Sequence, residues 1–205
     1  MDSYLFYDTE TTGLPHCFDQ VIQFAAIRTD LNFNELERHE FLVQLRPDVV
    51  PAPRAFLTHR IPIATCQQGR TEAEAMLAIH QLLNEPGTIS LGYNTLGFDD
   101  ELLRFGFYRN LLNPYSHQYA NGCGRMDLYP LTVAYYLFGK GALTWPEIDG
   151  HVSFKLEQLS RVNQLAEGPA HDAMTDVEAT LELARILARD TPVWNYLAGY
   201  SQRRE

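Results

Sequence analysis

The sequence reads as an α/β protein of one ordinary domain, and three observations carry that reading. Three short apolar runs near the N-terminus, residues 4–7, 20–28 and 40–45, are separated by turn residues, the pattern of a β-meander. Beyond residue 71 the pattern changes to helix-length segments alternating with short apolar runs. The chain has 205 residues, 45% of them hydrophobic and 20% charged, which is enough apolar material for one sizeable core.

The first run, Tyr4 to Tyr7, suits a buried strand and ends in two acids, Asp8 and Glu10. Side chains alternate across a strand, so both acids leave one face, with Tyr4 and Phe6 behind them. Like charges at the end of a core strand repel and are costly to desolvate. A cation in the small polar turn of Thr9, Thr11, Thr12 and Gly13 relieves them; a solvated strand end is the alternative. Residues 30–34 supply the turn between the second and third strands. Pro47, Pro51 and Pro53 then break the chain, and residues 58–66 read as a loop.

A helix follows at 71–83, where Ala75, Leu77, Ala78, Leu82 and Leu83 recur at roughly helical spacing until Pro86 and Gly87 stop it. Residues 89–93 form a fourth strand, and a second helix starts near Phe98. On that helix Asp99 shares a face with Leu102, Leu103 and Gly106, while Asp100 and Glu101 point elsewhere. An inward acid there is either functional or a plain first-turn acid favoured by the helix dipole.

Residues 125–128 read as a short edge strand leading into a helix at 129–138, and 139–150 as a loop carrying Trp145. A short helix at 153–162 carries Lys155, one of two lysines. After Gly168 and Pro169, helical spacing runs to Leu187 with Asp172 as N-cap. Val177, Thr180, Leu181, Leu183, Ala184 and Leu187 cover one side of this helix, and Asp176 falls on that apolar side, where an ionised acid needs a partner. His171 lies just before the cap. Residues 189–205 read as a final helix and a polar end.

The net charge of −10 excludes a protein that coats nucleic acid with a broad basic surface, but not one that holds a few nucleotides through divalent cations. No apolar stretch approaches the roughly 20 residues that span a bilayer, and the N-terminus lacks the basic start and apolar segment of a signal peptide. Cys17, Cys66 and Cys123 are scattered, with no C-x-x-C, so neither a disulfide framework nor a zinc site is indicated, and a reducing cytoplasm is the expected compartment.

Asp8, Glu10, Asp99 and Asp176 together form the ligand type that magnesium and manganese prefer, and two such ions about 4 Å apart can clamp both oxygens of a phosphodiester displacement. The remaining need is a base for the attacking water. Imidazole is the side chain that titrates near neutrality, and His171 is close in sequence to Asp176.

Three blocks, F-Y-D-T-E-T-T-G-L, G-Y-N-T-L-G-F-D-D-E-L-L-R and H-D-A-M-T-D-V-E-A-T, resemble in order and spacing the motifs of the four-acid, one-histidine (DEDDh, DnaQ-like) 3′→5′ exonucleases. Asp172 stands where the tyrosine-using branch would carry its Tyr, so the histidine branch is the match. Within it the likeness is strongest to the catalytic domain of the bacterial exonuclease I type, on segments such as Q-F-A-A-I-R-T-D, F-Y-R-N-L-L-N-P-Y and S-F-K-L-E-Q-L. The resemblance implies an RNase H-like fold, a five-stranded mixed β-sheet flanked by α-helices. It assigns residues 1–190 to the exonuclease domain and 191–205 to a C-terminal helix and tail.

It further implies removal of 5′-mononucleotides from the 3′ end of single-stranded DNA. Asp8, Glu10, Asp99 and Asp176 would be ligands to two Mg2+ or Mn2+ ions, and His171 the base. Thr9, Thr11, Leu14, Asn94 and Phe98 would contact the terminal nucleotide, and Lys155 a phosphate. Exonuclease I proper is much longer, with further domains that close a clamp around the strand, so the resemblance covers its catalytic domain and leaves processivity open. The D-T-E-T-T-G-L turn is closer to polymerase proofreading subunits and RNA-trimming members, which keeps an RNA 3′ end as an alternative substrate. A catalytically silent assembly module, recruiting a protein partner through residues 113–124, is the alternative of a different class. Phe18, Phe98, Tyr93 and Trp145 are candidates for stacking on splayed bases, with core packing the competing role for Phe98 and Tyr93.

Overall fold

A computed structural model describes residues 2–139, 141, 143–168 and 171–200. The first three strands, β1 (Ser3–Thr11), β2 (Val21–Thr29) and β3 (Glu35–Leu42), form the expected antiparallel meander. Two short helices, α1 (Pro53–His59) and α2 (Ile63–Cys66), precede α3 (Glu72–Leu83). Then β4 (Thr88–Gly92), α4 (Asp99–Arg109), β5 (Gly124–Asp127) and α5 (Leu128–Phe138) alternate. A small hairpin of β6 (Glu147–Ile148) and β7 (His151–Val152) leads to α6 (Leu156–Asn163), α7 (Ala173–Leu187) and α8 (Thr191–Ala198).

The main sheet has the order β3-β2-β1-β4-β5, with β4 and β5 parallel to β1, so the five-stranded mixed sheet flanked by helices is found. Its two faces bury different halves of β1. Tyr4 and Phe6 pack with Val177, Leu181 and Leu128 in one layer, while Leu5 and Tyr7 pack with Met76, Ile79, Leu102 and Leu103 in the other. Each fully buried side chain of this size contributes roughly 1.5–3 kcal/mol. The same alternation continues past the core: Asp8 and Glu10 leave toward α7, and Thr9 leaves toward α4.

Four elements differ from the sequence reading. The third strand begins at Glu35, five residues earlier than expected, because an edge strand takes its register from its neighbour (Thr29 opposite Glu35, Gln23 opposite Leu42) rather than from apolar alternation. The expected loop at 58–66 contains the end of α1 and all of α2; Pro53 starts α1 at a position where its missing N–H costs nothing. The loop at 139–150 runs into the β6–β7 hairpin, turning at Gly150 with φ +77°. Lys155 is the N-cap of α6 and not inside it. Asp172 caps α7 through Thr175 N–H as read from sequence, and Thr71 and Glu74 form a reciprocal capping box on α3 that the sequence reading did not name.

Trp194 of α8 is buried against Tyr4 and Phe33, at ring separations of 6.3 and 5.5 Å, so the last helix packs on the same core as β1. The end of the polar tail, residues 201–205, lies outside the described residues.

Candidate active site

Strand β1 runs past the end of β4, since its pairing with β4 stops at Phe6 opposite Leu91. Asp8 and Glu10 therefore project from an overhang that β4 does not cover. The turn beyond is tightly built. Thr12 donates to Asp19 at 2.6 Å and accepts from Gln20 N–H at 3.0 Å, and Thr11 donates to Gly13 O at 2.8 Å. A Cβ at Gly13 would meet the Asp19 carboxylate at 2.6 to 2.9 Å, so a side chain there would displace Asp19 from its hydrogen bond with Thr12.

Asp99 arrives from the other layer. It is the first residue of α4, is 6% exposed, and accepts a 2.5 Å hydrogen bond from the Thr9 hydroxyl. Thr9 thus points at a neighbouring acid, a role its side chain was not assigned from sequence. Asp176 comes from the first turn of α7, with Glu10 and His171: one ligand atom from each of these three lies within 4.8 Å of the others. His171 is exposed and held at φ +63°, in the left-handed region that costs a non-glycine residue energy. Gln23 of β2 pins this end of α7, donating to Asp172 at 3.2 Å and accepting from Ala173 N–H at 3.4 Å.

The electrostatics show four acids lacking a counter-charge. Burial, then Asp99, Asp176, Glu10 and Asp172, push the Asp8 carboxyl well above the ordinary range. Burial and then Asp176 and Asp99 raise Glu10 to about 8. Burial raises Asp99 to about 7 against the pull of the Thr9 hydroxyl, and Asp176 to about 6 against that of His171. Among the described residues no Arg or Lys pairs with any of the four. Carboxylate oxygens, one imidazole and unrelieved negative charge suit a hard divalent cation, so the donor set fits magnesium or manganese.

Asp100, which the sequence reading places only off the face of Asp99, is found among protein partners. It does not point to solvent: it is 1% exposed, with His117 Nε2 at 3.0 Å, Gln118 Nε2 at 3.4 Å and an ion pair to Arg125. The covering segment is the irregular 113–124 stretch, which helical periodicity cannot place.

The nucleotide-contact candidates divide into groups. Asn94, Lys155, His171 and Asp176 line one cavity of about 720 Å³, together with Tyr93 and Tyr129. Asn94 N–H is fixed there by Asp127 at 2.8 Å. Leu14 and Phe18 are exposed on the turn after β1. Phe98 is half-buried, packs on the core layer beneath α4 and meets the His16 ring at 5.2 Å. Of the other stacking candidates, Tyr93 donates its hydroxyl to Phe154 O, and Trp145 packs on Tyr136 and Phe154.

Sequence reasoning missed three residues near the site. Asp172 and Glu157 add negative potential at Asp176. His59, at the end of α1, is 7% exposed and accepts from Ile61 N–H through Nδ1 at 3.0 Å, while its Nε2 has no hydrogen-bond partner. Burial lowers the pKa of this imidazole; the neighbouring Thr11 carbonyl opposes that and His171 adds to it. A lone histidine in an apparent loop gave no signal of this placement.

The RNase_T family profile, described as Exonuclease, matches residues 5–184. Exodeoxyribonuclease I of Escherichia coli K12 is 39% identical over 199 residues, covering 95% of this chain and 42% of that protein. The Haemophilus influenzae exodeoxyribonuclease I is 37% identical over 193 residues, covering 93% and 41%. The crystal structure of E. coli exonuclease I in complex with a dA16 oligonucleotide matches with a TM-score of 0.92 at 37% identity, over 97% of this chain and 43% of that one. The zinc ion bound form of the E. coli ExoI–ssDNA complex gives the same TM-score, identity and coverage. The chain thus spans less than half the length of these relatives. Among the described residues, no helix is long and apolar enough to cross a membrane.

Proposed function

The chain belongs to the RNase_T exonuclease family, and on that premise we propose that it removes 5′-mononucleotides from the 3′ end of single-stranded DNA. The observation that carries this is the gathering of Glu10, Asp176 and His171, one ligand atom from each within 4.8 Å of the others. Asp99 is near enough to raise the pKa of Glu10, and Asp99, Asp176 and Glu10 are near enough to raise that of Asp8. Asp8, Glu10, Asp99 and Asp176 would hold two Mg2+ or Mn2+ ions. When bound, such ions polarise a phosphoryl oxygen and supply an activated water.

The chain's own residues do the rest. A ring nitrogen of His171 accepts the proton of the attacking water, and its exposure leaves it free to pass that proton on. Thr9 fixes the Asp99 carboxylate by its hydrogen bond. Lys155 and Asn94, on the wall of the cavity that ends at His171 and Asp176, hold the phosphate and sugar behind the scissile bond. Leu14, Phe98 and the backbone of Thr9 and Thr11 bracket the terminal nucleotide, where apolar contact tolerates any base. DNA is favoured over RNA because the relatives are exodeoxyribonucleases and one is crystallised on dA16. The three free cysteines suit a reducing cytoplasm.

Incubation with 3′-labelled single-stranded DNA and magnesium should release mononucleotides, and EDTA should stop it. An RNA oligomer of the same sequence, run in parallel, should be degraded more slowly. No release from either strand with metal demonstrably bound would favour the silent assembly module.

A further inference from the structure

The chain has a net charge of −10, yet two long stretches, 49–71 and 102–126, contain no acid. They differ in what their arginines do. In 102–126, Arg104, Arg109 and Arg125 each pair with an acid: Glu101, Glu72 and Asp100. In 49–71, Arg70 stacks on the Phe41 ring at 4.1 Å, while Arg54 and Arg60 are exposed and, among the described residues, have no ion pair. Helix stability does not account for Arg54, which sits in the first turn of α1, where the helix dipole disfavours a cation. Arg60, in the left-handed conformation at φ +62°, closes the same helix.

This segment is tied to the site. Ala52 N–H donates to Thr12 O at 2.8 Å, joining α1 to the turn after β1. One residue before Arg60, the buried His59 is close enough to the Thr11 carbonyl and to His171 for both to act on its imidazole. The acids of the site repel any polyanion, so a strand that reaches them needs positive charge at the approach.

We propose that residues 49–71 form the basic flank of the site, on which Arg54 and Arg60 hold backbone phosphates of the incoming single strand. The proposal rests on the exonuclease reading. Guanidinium donors match phosphate oxygens and carry no base preference, so the flank grips any sequence. Lys155, on the wall of the cavity that holds His171 and Asp176, would be a further cationic contact.

The test is binding of a single-stranded oligothymidylate, with calcium in place of magnesium to suppress turnover, as a function of salt. Each phosphate contact on a single strand contributes about 0.7 to the slope of log K against log salt. Arg54→Ala with Arg60→Ala should lower the slope by about 1.4 and weaken binding about tenfold near 0.1 M salt, and Arg60→Gln alone should remove about half of the slope change. Lysine at both positions should restore the slope. Arg189→Ala, which removes one charge as Arg60→Gln does but just beyond the end of α7, should leave it unaltered. A wild-type slope in the double variant, or an equal loss in Arg189→Ala, would overturn the proposal. The parent reading is measured separately, by mononucleotide release from the wild-type chain in magnesium; a changed slope without release would retain the flank and remove the nuclease.

Discussion

Asp99 and Asp100 are consecutive, both are buried, and they live in opposite electrostatic worlds. Asp100 has His117, Gln118 and Arg125 around it, so its charge is met by the protein itself. Asp99 has hydrogen bonds from the Thr9 hydroxyl and from the backbone of Thr9 and Asp99 but, among the described residues, no paired Arg or Lys, and its charge helps to raise the pKa of Asp8 and Glu10. A buried carboxylate whose partners are all present fastens the fold; one whose partners are missing marks a place for a cation from outside. Burial does not separate the two. What surrounds each acid does.

The largest expected effect is on turnover. Asp99→Asn should lower nucleotide release by about 10³-fold or more, since it removes a ligand to ions that supply several kcal/mol. It should leave the melting temperature of the metal-free chain unchanged or higher, because a repulsive charge has gone. Asp100→Ala should do the reverse: it strands His117 and Arg125 and costs about 3–5 kcal/mol of stability, read by denaturant titration. Equal destabilisation by both would break the comparison. His171→Ala should slow hydrolysis by about 10²–10⁴ without a stability change, and retention of the rate would remove it as the base.

A smaller effect is on pH dependence. Glu10, Asp99 and Asp176 titrate near 8, 7 and 6 in the folded chain, against 4.5, 3.8 and 3.8 when unperturbed. The folded state therefore binds more protons than the unfolded state across that window. The stability of the metal-free chain should be highest below about pH 4 as far as these groups are concerned, and should fall as pH rises toward about 8. Saturating magnesium should flatten the fall, which melting curves across pH would show. The smallest is Thr9→Val, which loses a single hydrogen bond worth about 1 kcal/mol and should cost about fivefold to tenfold in rate.

Most of the sheet was legible because the apolar runs of β1, β2 and β4 are buried strands whose composition reports their position. β3 was not, because E-L-E-R-H-E on a sheet edge carries no apolar alternation and is placed only by pairing with β2. Alternation on β1 and the wheels of α4 and α7 marked Asp8, Glu10, Asp99 and Asp176 as acids on inward or strand-end positions. Joining them into one site came from the family resemblance, because periodicity says nothing about which elements meet. The partners of Asp100 were out of the wheel's reach, since they come from the irregular 113–124 segment and from Arg125 of β5, 25 residues away. His59 was invisible for a similar reason: its environment is made by Thr11 and His171, not by its own neighbours.

The most direct test is calorimetric titration of the metal-free chain with manganese near pH 8, with proton release recorded. The expected result is saturable binding that expels protons from the acid cluster, lost in Asp8→Asn and in Asp99→Asn but retained in His117→Ala. Failure of the wild-type chain to bind, or undiminished binding with both acids neutralised, would contradict the assignment of this cluster as a cation site.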